Sequence, residues 1–297
     1  MGSEASAILP LVERQVALGA RVPGTAAHDA LAAALERELR ARTATVLLQE
    51  FPVRFHGTAA TCRNVLGVFP ARAGGAGGPP VLLGTHYDTR PRADREPRPE
   101  QRGRPIPGAN DGGSGTAILL HLLDWLAAAD LERDVVIAFL DAEDLGDIDG
   151  NPFSLGAERL ADRPPPGMRE PGQVVVLDMV GGRRMRLDVD AHALGHAPSH
   201  RLTAELFACG QSLDLEPFTA RKPNRVKWII SDQWAFLRRG IASCLLIDID
   251  YPQWHTQADL PAAMCEESLV AIEAALRSWL SPRGAGARPS SGASGGP

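Results

Sequence analysis

The sequence predicts an α/β fold, a three-layer sandwich in which helices flank a central mixed, mainly parallel sheet. Two observations carry this. Short apolar runs without polar alternation, such as VLLGTH, VVIAFL and VVVLD, read as strands buried on both faces. Segments with apolar residues at helical spacing fill the intervals, and strands alternating with helices are the pattern of a parallel sheet with crossover connections.

The elements follow in order. Residues 26–42, AAHDALAAALERELRAR, repeat apolar positions at helical spacing and predict an amphipathic helix. Extended segments are expected at 45–53 and 64–69, and the Gly-rich AGGAGGPP of 73–80 reads as a flexible turn between strands. A buried strand then ends near His86. After GANDGGSG a helix is expected over 114–128, followed by the strand in DVVIAFLDAE. A third strand run ends near Val180 and a fourth, ASCLLIDID, near Asp250. Helical patterns occupy 200–209, 232–239 and 265–280. The chain thus reads as one catalytic domain over 1–281, with a Gly/Ser/Pro-rich tail at 282–297 whose composition predicts disorder.

Bulk composition narrows the function classes. The chain has 297 residues, 44% hydrophobic and 23% charged, which are globular proportions. No apolar run reaches the roughly 20 residues a membrane span needs. The formal charge of -5 argues against a nucleic-acid partner, although six arginines fall between Arg90 and Arg104. Composition alone reads that stretch as a solvated irregular loop. Cys62, Cys209, Cys244 and Cys265 show no metal-finger spacing, and whether any two are bridged is open. The opening MGSEASAILPLVERQ lacks the basic and apolar regions of a secretory signal. Its MGS also fits an expression scar, so a periplasmic or secreted location with the signal removed stays open. A soluble monomer is expected.

Polar residues gather at the strand ends, where α/β sheets place their ligand crevice. His86 and Asp88 close the first strand, Asp141, Glu143 and Asp144 the second, and Asp178 the third. Trp254 and His255 follow the fourth, and Asp111 opens the passage into the helix after the first. Each has a plainer reading alone: Asp111 as a turn or cap residue, Asp144 as a cap, His255 as a loop histidine, Asp178 as an ion-pair partner. Converging on one crevice, these carboxylates would repel one another unless a cation neutralised them. Imidazole with carboxylate and no thiolate suits zinc, with cobalt, manganese or iron as alternatives, and disfavours calcium and magnesium. Asp88, two residues beyond His86, is a natural acceptor for an imidazole N–H.

The ordered motifs LLGTHYDT, PGANDGGSG, FLDAEDLG, VVLDMVG, SDQWAFLRRGIA and WHTQADLP span about 21–280. In this order they resemble the zinc-dependent aminopeptidases and their relatives, the glutaminyl cyclases. The resemblance implies Asp111, Asp144 and His255 as metal ligands and Glu143 as general acid/base. Asp178 and Asp232 then resemble the acidic residues that share its hydrogen-bond network. In the two-metal aminopeptidases His86 and Asp178 would hold a second zinc, with Asp111 bridging; the cyclases use one.

Trp254 directly before the ligand histidine, the DQWAFLRRGIA segment containing Trp234, and the long connection over 90–107 all resemble the cyclases. The resemblance makes Trp254 a wall of the substrate pocket, and Trp234 is a further candidate for substrate binding. Two features depart from the commonest pattern. Asp144 stands where a second glutamate is usual, as in some bacterial cyclases, and no tryptophan follows it, so Phe153 is expected to line that side. The reading is a glutaminyl cyclase acting on peptides or proteins with N-terminal Gln, with one zinc. An aminopeptidase with two zincs is the alternative, and a catalytically silent peptide binder the third possibility.

Overall fold

The computed structural model describes residues 7–72, 77–219 and 225–281. The expected tail at 282–297 and part of the Gly-rich turn, 73–76, lie outside these residues.

Two helices lead in. Helix α1 (Leu9–Ala17) was not expected from the sequence; its first N–H groups are met by a distant side chain, the Glu266 carboxylate, which accepts from the amides of Ile8 and Leu9 at 2.7 Å each. Helix α2 (Ala26–Arg40) starts at Thr25, whose hydroxyl accepts from the His28 amide.

Strands β1 (Thr45–Phe55) and β2 (Thr58–Phe69) are longer than expected and form one hairpin. Its two-residue turn, His56-Gly57, has positive φ at both positions, the geometry that matches strand twist. Strand β3 (Val81–His86) leads through a long loop into α3 (Gly113–Ala128), then β4 (Val135–Leu140), α4 (Leu155–Asp162) and β5 (Gln173–Asp178). Short elements follow: β6 (Val189–Asp190), α5 (Ala191–Gly195), α6 (Ala197–Ser212), α7 (Glu216–Thr219), β7 (Val226–Lys227) and α8 (Gln233–Leu237). Strand β8 (Ala242–Ile247) and helix α9 (Glu266–Leu280) complete the described chain.

The six-stranded sheet has the order β1-β2-β4-β3-β5-β8. The β1/β2 and β2/β4 pairs are antiparallel, whereas β4/β3, β3/β5 and β5/β8 are parallel, so the sheet is mixed as predicted. Successive strand residues face opposite layers. Leu83, Ile137, Val175 and Cys244 pack with α1, α2, α3, α6 and α9, while Leu82, Val136, Val174 and Leu245 pack with α4 and α8. Burial on both faces is why these strands are continuously apolar. The four cysteines are unpaired, with Cys62 and Cys244 buried as core residues. Among the described residues, no helix is long and apolar enough to cross a membrane.

Candidate metal centre

The carboxyl ends of β3, β4, β5 and β8 meet at one edge of the sheet. There three non-glycine residues, Ala142 (φ 57°), Met179 (φ 48°) and His255 (φ 56°), adopt left-handed backbone. Such positions cost roughly 1–3 kcal/mol each and persist where surrounding structure enforces them. Helix α3 comes close because Gly115 has no side chain: a Cβ there would lie 2.2 Å from the Thr85 hydroxyl and 2.9 Å from the Leu177 carbonyl. Asp111, just before the helix, is thereby set against the strand ends.

Two groups of side chains result, sharing Asp111. In one, Asp111, Asp144 and His255 place ligand atoms within 4.8 Å of one another; in the other, His86, Asp111 and Asp178 do the same. His255 Nε2 lies 3.2 Å from Asp144 Oδ1 and 3.7 Å from Asp111 Oδ2. His86 Nε2 lies 3.3 Å from Asp111 Oδ1 and 3.5 Å from Asp178 Oδ1. The buried atoms Asp111 Oδ2, Asp144 Oδ2, Asp178 Oδ1 and both His86 ring nitrogens have no hydrogen-bond partner. Buried polar atoms are almost always partnered, and orphaned imidazole and carboxylate atoms facing one another fit a divalent cation.

A third cluster shows the contrast. His28, Cys62 and Asp141 are equally close, yet both Asp141 oxygens are taken. They accept from His28 Nε2 at 2.9 Å, the Arg63 amide at 2.6 Å, the Tyr87 hydroxyl at 2.7 Å and the Ala142 amide at 2.8 Å. With its oxygens saturated, and with burial pushing the Cys62 thiol up, this is a structural ion pair rather than a metal site. It anchors the turn that delivers Glu143 and Asp144.

Electrostatics mark the same crevice. Burial, reinforced by the Asp111 charge, pushes Asp144 up to about 6, and burial pushes Asp232 up to about 7. Glu143 is raised well above its ordinary value by burial and the neighbouring Asp232, Asp144 and Asp178, against the opposing pull of His86. For His255 burial acts downward, but Asp144 and Asp94 outweigh it and carry the ring to about 9. Crowded carboxyl groups of this kind are what a bound dication relieves.

Asp88 lies 3.5 Å from His86 Nδ1, as the spacing suggested, and its oxygens also accept from the Glu143 and Asp144 amides at 3.1 Å each. It thereby also fixes the backbone of the β4 loop. Composition read the Arg-rich loop as solvated throughout, but it is exposed mainly over 97–105, and Arg90 (2% exposed), Ala93, Glu96 and Ile106 are buried.

The aromatic residues have these neighbours. Phe153 stacks on Gly146 and faces the Arg90 guanidinium, 5.7 Å from the ring centroid. The ring of Trp234 lies 4.4 Å from that of His192, at the β6–α5 junction. Trp254 sits beside His255 with ring centroids 4.6 Å apart, and the Arg95 guanidinium lies 3.7 Å from its ring centroid. Glu143 accepts from Ser154 Oγ at 3.2 Å, Asp178 from Ser231 Oγ at 3.0 Å, and both Asp232 oxygens are buried without partners.

Sequence reasoning missed three residues here. Asp259 accepts from the Asn110 and Asp111 amides at 2.9 and 3.1 Å and from Tyr251 Oη at 3.0 Å, fixing the approach of Asp111. Arg90 and Asp94 contact the cluster from the loop. Asp259 lies within WHTQADLP and was legible as a motif member, whereas nothing in the loop's composition distinguishes Arg90 or Asp94.

The model of peptidase family M28 matches residues 64–280, well over half of the chain. The chain belongs to this family. No curated protein sequence gives a match. Among solved structures, a glutaminyl cyclase from Tannerella forsythia is 28% identical with TM-score 0.83, covering 93% of this chain and 98% of that one. A glutaminyl cyclase from Bacteroides thetaiotaomicron bound to N-acetylhistamine is 26% identical with TM-score 0.83, covering 93% and 97%. A Zn-dependent exopeptidase from Parabacteroides distasonis is 29% identical with TM-score 0.82, covering 93% and 98%. M28 membership and these neighbours support zinc as the metal of the site.

Proposed function

We propose that this M28 protein is a glutaminyl cyclase that converts the N-terminal Gln of peptides or proteins to pyroglutamate with release of ammonia. The observation that carries the reading is the half-buried indole of Trp254 directly against His255. An aromatic wall beside the ligand cluster suits the compact side chain of a terminal glutamine. Similarity to the cyclases of Tannerella forsythia and Bacteroides thetaiotaomicron supports it.

Held by Asp111, Asp144 and His255, one zinc ion would supply Lewis-acid polarisation of the side-chain amide. Glu143 takes a proton from the attacking α-amine and gives it to the departing nitrogen, so the ring C–N bond forms as the amide C–N bond breaks. Asp232, charge-coupled to Glu143, and Asp178 beside it keep the proton within the buried carboxyl network. Trp254 holds the substrate side chain, with Phe153 and Trp234 as further lining.

The second reading, a zinc aminopeptidase, draws on the His86, Asp111 and Asp178 group, which could hold a second ion. There Glu143 would instead activate water against the first peptide bond. Incubation with a Gln-initiated peptide separates the readings by mass spectrometry. Loss of ammonia with about one tight zinc per chain is the expected result; release of the terminal residue with two equally tight zincs would establish the peptidase. Neither product would leave a silent binder.

Trp254→Ala should lower kcat/KM for cyclisation by about tenfold or more, the scale of one lost aromatic contact. Zinc content should stay unchanged. The indole also packs partly on the α4/α8 side of the core, so a modest fall in melting temperature accompanies the loss. Unchanged kcat/KM would assign the indole to packing alone.

A further inference from the structure

One buried guanidinium ties together two of the three residues Asp111, Asp144 and His255. Arg90 donates through Nε and Nη2 to Asp94 Oδ2 at 2.9 and 2.6 Å. Through Nη1 it donates to Asp144 Oδ1 at 3.2 Å and to the carbonyls of Asp144 and Gly146 at 3.1 and 3.0 Å. The other oxygen of Asp94 lies 3.0 Å from His255 Nδ1. The next residue, Arg95, donates its amide to the His255 carbonyl at 3.2 Å. A closed circuit thus runs from Asp144 through Arg90 and Asp94 to His255, whose Nε2 returns to Asp144.

Each contact removes one freedom that metal binding would otherwise have to remove. A neutral imidazole carries one proton, and an acceptor at Nδ1 keeps it there, leaving the Nε2 lone pair turned toward Asp111 and Asp144. The guanidinium occupies Asp144 Oδ1, so the unpartnered Oδ2 is the oxygen left for an ion. Aspartate at this position is one methylene shorter than glutamate, and a braced side chain on a backbone pinned by Asp88 offsets the shorter reach. Asp94 brings a further negative charge near the site, and the positive charge of Arg90 balances it.

We propose that Asp94 is a positioning residue that aims His255 at a divalent cation, and that Arg90 is the brace holding Asp94 and Asp144 in register. The pair then sets metal affinity whichever reaction the site performs. The plainer role for the same contacts is to staple the loop to the domain, and Arg102 supplies the comparison. Its Nε donates to the Glu96 carbonyl at 2.7 Å within the same loop, and none of its hydrogen bonds or ion pairs reaches the three ligand residues.

The test uses the purified full chain, stripped of metal and titrated with zinc against a chromophoric chelator, with the visible spectrum of the cobalt(II) form as second readout. Asp94→Ala should weaken zinc binding by roughly 10- to 100-fold, the scale of losing the partner of a ligating histidine, and shift the cobalt bands. Asp94→Asn, of the same size, should fall between it and the parent protein, because its amide group opposes the guanidinium. Arg102→Ala should leave zinc affinity at the parent value. Parent affinity and spectrum in both Asp94 variants would overturn the proposal. So would an equal loss in Arg102→Ala, which would trace the effect to loop stapling.

Discussion

Replacing Glu143 by Gln is expected to lower turnover of a Gln-initiated peptide by about 10²-fold or more, the usual scale of general acid–base catalysis, while zinc stays bound. Glutamine keeps the size of the side chain and still accepts from Ser154 Oγ, so the local fold should persist. What disappears is the carboxyl group that can take a proton and return it. Glu143 stands outside both groups of close ligand atoms at the strand ends, so its neutralisation leaves the cation's donors in place. The measurement is kcat on the peptide together with zinc per chain. Retained turnover would remove Glu143 from the chemistry, and loss of zinc would exchange the roles of Glu143 and Asp144.

Asp141→Ala is expected to cost stability outright, by about 3–5 kcal/mol, the scale of breaking one partner out of a buried ion pair. The substitution strands the buried His28 imidazole, the Tyr87 hydroxyl and the amides of Arg63 and Ala142, all of which donate to this carboxylate. A fall in melting temperature on the order of 10 °C follows, read by calorimetry. The pair should also give stability a pH dependence. Burial pulls the His28 pKa down, but its hydrogen bond to Asp141 and the charge of that carboxylate outweigh burial and hold it above the ordinary 6.5. The stabilisation is therefore full below the unfolded value near 6.5 and fades as pH rises through the folded one. A melting temperature within a degree or so of the parent would show that the cluster does not anchor the β4 turn.

The strands were legible because burial on two faces demands unbroken apolar runs, and VVIAFL or ASCLLI can satisfy few other environments. The residues at their ends were legible for the same reason. Once β3, β4, β5 and β8 are parallel neighbours, His86, Asp144, Asp178 and His255 must converge at one edge. The first helix was not, since its N-terminus is completed by Glu266 from the far end of the chain. The β1–β2 hairpin was seen only as two extended segments, its His56-Gly57 turn carrying a weaker signal than Asn-Gly.

By itself, then, the sequence determined the alternation of strands and helices and which chemistry-bearing residues stand at strand ends. Both follow from short-range periodicity and from where apolar runs stop. The family resemblance already implied how those residues divide, and the tertiary structure brings their ligand atoms together in that division: Asp144 and His255 on one side of Asp111, His86 and Asp178 on the other. The tertiary structure alone decided that Asp88 serves the backbone of the β4 loop and that Asp259 holds the Asp111 amide. The Arg-rich loop shows the reason most clearly. Arg90 and Asp94 carry no periodicity and sit among prolines and charges that composition assigns to solvent. Burial of that guanidinium becomes favourable only when the nearby Asp94 and, from the distant loop after β4, Asp144 and two carbonyls all accept its protons at once.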